Sequence, residues 1–280
     1  MILKSYNTYP VRWLCQVLCV SSSGYYSWRR RRPSRRSVEN RTLVTVMREI
    51  HTEVNHCYGS PRMHAELLSR GYRCGRHRVA RLMRLNNIVA RRRVRRPGSR
   101  FTDERGKAPN LLNRQFQVDK INRVWAADIT YIRTAQGFVY LAVVLDLYSR
   151  RVIGWAMDSR LSAVLVSAAL HQALGQRQPS AGIIHHSDQD GLYASMAYQE
   201  LLAQHGFIVS NSRKGNCLDN ACVESFFARL KTEWMYPGRH LNRAQTELDI
   251  FKYLEVFYNR IRRHSTLNYL SPVDFELKNS

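Results

Sequence analysis

Apolar positions in the second half of the chain come in short blocks at strand spacing. "NRVWAADITYIR" (122–133) leads through Gln136-Gly137 into "FVYLAVVLDL" (138–147) and then "RVIGWAM" (151–157). Such runs joined by short turns predict three strands in an antiparallel meander, with Asp128 on the first. A helical stretch follows near Leu161–Leu174, and "GIIHHSD" (182–188) predicts a buried strand that delivers Asp188 at its C-terminal end. In "DNACVESFFARLKTEW" (219–234) the apolar residues Val223, Phe227, Leu230 and Trp234 recur at helical spacing, behind Asp219 or Asn220 as the expected cap. Glu224 adjoins that stripe, facing the sheet edge, and Lys231 lies seven residues on, on the same helix face. Asn242 is expected to cap a further helix whose core face is Ala244, Leu248, Phe251, Leu254 and Tyr258.

The first half has helical periodicity instead. "VRWLCQVLCV" predicts a short amphipathic helix, since Arg12 and Gln16 interrupt any signal-peptide core. Leu43, Val46, Met47, Ile50 and Val54 form one stripe; Ser60-Pro61 reads as cap and first position of a second helix that Gly71 closes. A third helix, about Arg76 to Asn86, buries Val79, Leu82 and Met83 and shows His77, Arg81 and Arg84 on its other side. Two short helices around a glycine-containing turn, the second basic, are compatible with a helix-turn-helix.

Charge sharpens this division. Residues 1–120 carry 27 Lys+Arg against 7 Asp+Glu, whereas residues 121–280 carry 17 against 14. The sequence pI near 10.4 and the arginine runs 29–32 and 91–96 point to a phosphate-backbone binder. Arginine dominates over lysine, which suits bidentate phosphate contacts. Candidate DNA contacts are Lys231, Arg81, Arg84, Arg91, Arg92, Arg93, Arg213 and Lys214, with Arg260, Arg262, Arg263 and His264 extending the path. The six cysteines form no C-x-x-C pair, so a zinc site lacks its sequence pattern. No 18-residue apolar segment is present, and a cytoplasmic, nucleoid-associated protein without a membrane partner is expected.

Asp128, Asp188 and Glu224 are the candidate catalytic and metal-ligating residues. Carboxylates held close together cannot all ionise without cations, and Mg²⁺ prefers such oxygen ligands. Two ions about 3.5–4 Å apart can hold the attacking and leaving oxygens of an in-line phosphoryl displacement. Asp146 is a competitor, read instead as a structural ion-pair partner of Arg150 or Arg151. Asp190, two residues from Asp188, is the nearest rival. His185 and His186 read as strand residues with satisfied rings rather than metal ligands.

"NRVWAADITYI", "YLAVVLDLYSRRVIGWAM", "IIHHSD", "SRKGNCLDNACVESFFARLKTE" and "YNRIRRHSTLNYLSP" resemble the integrase core of bacterial insertion-sequence transposases, in particular the second-frame product of two-frame elements. "VSSSGYYSW" and "YGSPRMHAELLSRGYRCGRHRVARLMRLNNIVARRR" resemble the N-terminal part of the same proteins. The resemblance implies a ribonuclease-H-like α/β fold with helices on both faces of a mixed sheet, behind a small all-α domain like a helix-turn-helix. It also implies a DDE mechanism with two Mg²⁺ ions, which Mn²⁺ would replace: Asp128 and Asp188 share one metal, and Glu224 completes the shell of the other. A metal-activated water then attacks a phosphodiester at the element's end, and the freed 3′ hydroxyl attacks another. The implied partners are terminal inverted repeats and target DNA, a first-reading-frame product as fusion or partner, and further copies of the chain in a homo-oligomer on DNA.

The implied domains are 1–36, a short helix and basic segment; 37–95, the helical DNA-binding domain; 96–118, a basic linker; and 119–280, the catalytic core with a helical extension. One departure stands out. Where the family reads Asp-x-Gly-x-Gln-Tyr after the second acid, this chain has Asp190 at the glycine, Gly191 one place late and Leu192 at the glutamine. The altered loop is therefore expected to weaken the site. The competing functions are a non-catalytic DNA-binding regulator derived from a decayed copy and a ribonuclease-H-type nuclease.

Overall fold

The computed structural model describes residues 9–91, 109–212, 217–235 and 242–279. Arg92, Arg93, Arg213 and Lys214 lie outside the described residues, as does most of the expected 96–118 linker. The chain divides into two compact units, Met1–Met47 and Arg48–Ser280. In the first, α1 (Val11–Val17) is followed by α2 (Ser22–Arg30), whose Ser21 cap accepts the Gly24 N–H at 3.0 Å. Helix α3 (Arg35–Glu53) begins there and ends in the second unit.

The second unit holds α4 (Ser60–Ser69) and α5 (Arg76–Leu85). Gly59, not Ser60, occupies the cap position of α4, and Pro61 sits in the first turn, where its missing N–H costs nothing. Gly71 closes the helix at a φ of +82°, a left-handed conformation that favours glycine. The expected apolar positions Val79, Leu82 and Met83 are buried, and Met63 and Leu67 of α4 are buried as well. His77, Arg81 and Arg84 are exposed on the opposite side of α5.

The sheet contains β1 (Val124–Thr134), β2 (Gly137–Asp146), β3 (Val152–Asp158), β4 (Ile184–Ser187) and β5 (Ile208–Asn211), in the order β3-β2-β1-β4-β5. The first three form the expected antiparallel meander, and β4 and β5 add to it in parallel. Side chains alternate across the sheet. Trp125 and Ala127 of β1 point into the main core with Leu165, Val166, Ala169 and Leu170 of α6 (Ala163–Arg177) and Tyr198 and Leu202 of α7 (Met196–Gln204). Asp128 belongs to the alternate set. A helix packed on β1, α8 (Ala221–Leu230), buries Val223, Phe226, Phe227 and Leu230, then continues as a π-helical stretch, Lys231–Met235. Beyond it come α9 (Arg243–Phe251), a second π-helical stretch (Lys252–Tyr258) and α10 (Pro272–Asn279).

Close approach of β3 to α6 depends on one glycine. A Cβ on Gly154 would stand 2.2 Å from the Ala169 carbonyl oxygen and 2.8 Å from the Ala173 Cβ. Neither backbone can yield cheaply, so Gly154→Val should lower stability by at least about 2 kcal/mol, in the range for overpacked cores. The midpoint of urea unfolding reads this; an unchanged midpoint would mean that β3 and α6 can separate at no cost.

Several sequence expectations are corrected. Asn242 caps α9 in a full capping box with Gln245, but Ala244, Leu248 and Phe251 are exposed. The buried line is Thr246, Ile250, Tyr253, Leu254, Phe257 and Tyr258, itself at helical spacing: the chain offers two overlapping apolar stripes, and the one whose Tyr253 and Phe257 pack against Trp234 takes the core. Asp146 is not an ion-pair partner of Arg150 or Arg151. It is fully buried and accepts the N–H groups of Asn122 (3.0 Å) and Tyr148 (2.9 Å), while Arg151 pairs with Glu276 at 2.7 Å. Arg150 reaches the Phe116 carbonyl at 2.7 Å and the Cys222 Sγ at 2.6 Å.

Candidate active site

Strand register brings the first two acids together. Ala126 of β1 pairs with His186 of β4 in parallel; continued two residues further, past the end of β4 at Ser187, that register brings Asp188 next to Asp128, whose carboxyl feels its charge. Asp128 Oδ1 accepts its neighbour's N–H, from Ile129 at 2.7 Å, and Asp188 Oδ1 accepts that of Asp190 at 3.2 Å. Each thus retains a second carboxylate oxygen with no protein donor among the described residues. Burial raises the Asp128 carboxyl well above its usual range, and the charges of Asp188, Glu224 and Asp190 add to it. Asp188 is pushed up to about 6, again chiefly by burial, with the Asp190 charge adding and the Asp190 N–H opposing.

Glu224 is exposed in the first turn of α8, close enough for its charge to be felt at Asp128. Among the described residues, no three His, Cys, Asp or Glu side chains are gathered closely enough to hold a metal ion as they stand. Lys231, the first residue of the π-helical continuation of that helix, lays its ammonium 4.7 Å from the centre of the Tyr131 ring. Burial lowers its pKa and the Asp128 carboxylate opposes that, so the expected cation lies within electrostatic reach of the first acid.

The start of α8 is held to the sheet in a way the sequence did not show. Neither Asp219 nor Asn220 caps the helix by its side chain. Asn220 instead donates to the Ala127 carbonyl at 3.3 Å, one residue before Asp128. Asp219, fully buried, accepts Asn110 at 2.8 Å and Arg114 at 3.0 Å. His186 contacts Ser210 (2.9 Å) and the Asp219 carbonyl (3.1 Å), and His185 contacts the Tyr198 hydroxyl at 2.9 Å, so both rings serve the scaffold. Burial depresses the pKa of each, that of His185 to about 3, keeping them neutral.

The far end of α8 is held by Glu233, which sequence reasoning missed. Its carboxylate takes two short bonds from the fully buried Arg262, at 2.6 and 2.5 Å, and one from the Tyr253 hydroxyl at 3.3 Å. Its carbonyl accepts Asn55 (3.0 Å) and Arg91 (2.9 Å), so the segments flanking α4 and α5 are tied to this helix. Arg262, Arg263 and His264 therefore do not extend a DNA path: Arg263 bonds Glu66 at 2.6 Å, and His264 is buried against Arg262. Arg260 remains exposed. The only signal in the sequence was a carboxylate set beside Trp234 in an otherwise apolar stripe.

The departing loop is ordered. The Asp190 carboxylate accepts the Leu192 N–H at 3.1 Å, and its carbonyl accepts that of Tyr193 at 3.1 Å. Gly191 does not take a positive φ, so the displaced glycine meets no backbone requirement. Asp190→Asn keeps the turn acceptor and removes a charge that raises both acids. The acidic limb of the pH–activity profile should then move to lower pH, and Asp190→Gly should also raise activity at neutral pH. An unmoved limb would show that the extra charge is inert.

A sheet of this order, with one acid on β1, a second just past the end of β4 and a third on a helix packed against β1, defines an integrase-type polynucleotidyl transferase. The Integrase core domain model matches residues 119–217, a second Integrase core domain model matches 224–279, and an HTH-like domain model matches 38–96. The chain is 40% identical over 266 residues to the insertion element IS600 uncharacterized 31 kDa protein of Shigella sonnei, covering 95% of this chain and 98% of that protein. It is 40% identical over 281 residues to the transposase InsF for insertion sequence IS3A of Escherichia coli (strain K12), covering 99% and 98%. Among solved structures, the HTLV-2 integrase catalytic core domain in complex with magnesium aligns with 55% of this chain and 95% of that one, at 14% identity and a TM-score of 0.42. The chain belongs to the InsF-type transposases of IS3-like insertion sequences. Its helix-turn-helix-like and integrase domains make DNA its partner. No helix among the described residues is long and apolar enough to cross a membrane.

Proposed function

We propose that this protein cleaves DNA at the ends of an insertion sequence and joins the freed strands to new sites, with Asp128, Asp188 and Glu224 as the catalytic acids. The observation that carries the reading is the parallel register of β1 and β4, which, continued past the end of β4, brings Asp188 next to Asp128, within electrostatic reach of Glu224. The donor set suits a hard divalent cation such as Mg²⁺, with Mn²⁺ as substitute. It offers carboxylate oxygens, and their mutual repulsion would be relieved by positive charge. Two bound ions would supply the activated nucleophile and stabilise the leaving oxygen. The protein's own part is to hold Asp128 and Asp188 on rigid strands, to turn Glu224 inward to complete the set, and to steady the reacting strand with Lys231.

Residues 37–95 act as the DNA-binding domain, ahead of a basic linker (96–118) and the core (119–280). Exposed Arg81 and Arg84 contact the duplex, and Arg92, Arg93, Arg213 and Lys214 add phosphate contacts. The active species is a homo-oligomer on the terminal repeats, working with the first-frame product as fusion or partner. The test is to incubate the protein, alone and fused to its upstream frame, with Mg²⁺ and DNA bearing the element's terminal repeats. Joined products that vanish in Glu224→Gln support the reading. Binding without joining in both forms overturns it in favour of the DNA-binding regulator.

A further inference from the structure

An open cavity of about 460 Å³ lies between α8 and the segments around α4 and α5. Its walls carry Arg62, Arg91 and Arg229, with Glu224 and Glu233 also lining it. Small residues on α8, Ala221 and Ala228, keep that wall open. Among the described residues, the three guanidinium groups are poorly matched by protein anions. Glu233 is engaged by Arg262 through two short bonds and reaches Arg62 only at 3.9 Å. Arg91 spends one nitrogen on a neutral carbonyl, and Arg229 contacts the Ser225 hydroxyl at 3.3 Å. The Arg62 Nε is buried with no hydrogen-bond partner among the described residues. Leaving a charged donor unsatisfied costs free energy that a visiting acceptor would recover. Burial and the neighbouring Arg262 and Arg229 also lower the Arg62 pKa to about 10, as crowded cations should.

We propose that this cavity is a phosphate site, in which Arg62, Arg91 and Arg229 grip a phosphodiester of the DNA strand that runs past Glu224 into the acidic site. The proposal rests on the transposase reading for the identity of the strand. A planar fork of donors suits a phosphodiester's oxygens, and three forks converging from two parts of the fold suit a strand rather than a side chain. Holding one phosphate here would fix the position of the next relative to Asp128 and Asp188. It would also couple the helical segments to catalysis through a shared ligand.

The test is the salt dependence of binding to a duplex of about 30 bp, using full-length protein in EDTA. For Arg62→Gln/Arg229→Gln the plot of log affinity against log salt should be shallower than for the parent by about one unit, the value for one lost phosphate contact. Affinity at about 0.1 M KCl should fall roughly tenfold, and Arg62→Lys should recover part of it. Arg229→Gln alone, on a half-exposed helix position, carries the test if the double variant melts early. Equal slopes for parent and variants overturn the proposal. So does pyrophosphate raising the melting temperature of the parent alone while the DNA slopes stay equal, since the site would then serve a free phosphate. Because no metal is present, failure of the catalytic reading shows separately, as absent cleavage in Mg²⁺ with the slope difference intact.

Discussion

Asp188→Asn is expected to melt at a higher temperature than the parent at pH 7 in EDTA while yielding no joined DNA, and Asp128→Asn should behave alike. Burial and neighbouring charge hold both carboxyls above their ordinary values, so the native state binds their protons more tightly than the unfolded chain does. Ionisation therefore weakens the fold. For Asp188 the penalty is absent below about pH 4, grows as pH rises towards about 6 and is complete above it. The amide cannot ionise and escapes a cost on the order of 1–3 kcal/mol. Mg²⁺ should reverse the order, since a ligand that binds only the native parent stabilises it by mass action. Melting curves at pH 4 and pH 7, with and without Mg²⁺, read all of this, and DNA binding should be spared. Variants that match the parent at both pH values and still join DNA would remove these residues from the site.

Arg262→Met should be the most damaging single change in the core, lowering stability by about 3–5 kcal/mol, the range for breaking one side of a buried ion pair. The Glu233 carboxylate would stay buried and keep only the Tyr253 hydroxyl and the distant Arg62. Glu233 lies on the continuation of the helix that carries Glu224 and Lys231, and its carbonyl anchors Asn55 and Arg91. Loss of its partner should loosen the catalytic helix and the helical segments together. Urea unfolding gives the stability change, and hydrogen exchange at residues 221–235 locates it. The double change Glu233→Leu/Arg262→Met, which removes both charges, should recover much of the loss. If the single variant unfolds at the parent's midpoint, the pair is not what holds this end of α8.

Much of the fold was legible because burial on one side imposes a period. The meander, the strand ending at Asp188 and the helix bearing Glu224 each followed from apolar spacing, and the register of β1 on β4 then set two acids side by side. Strand β5 was not read, since four residues with an exposed Ile208 give too short a pattern. Face assignment failed after Asn242, where two apolar stripes at helical spacing overlap and Ala244, Leu248 and Phe251 lie on the one that stays exposed. Asp219 and Asn220 were read as caps from local propensity, but longer-range partners, Arg114 and the Ala127 carbonyl, claimed them. Arginines near the C terminus read as a DNA path because charge in a sequence does not reveal whether it is paired.

The sequence alone determined the β1–β3 meander, the strand before Asp188, the helix bearing Glu224, the basic first half and the resemblance to insertion-sequence transposases. These depend on local spacing and residue chemistry, which survive without knowing what touches what. Only the tertiary structure decided that Arg262 is buried against Glu233, that Asn220 ties the catalytic helix to β1, and that Arg62, Arg91 and Arg229 converge on one cavity. Each such contact joins residues tens to hundreds of positions apart, and its strength comes from exclusion of water at the place where they meet.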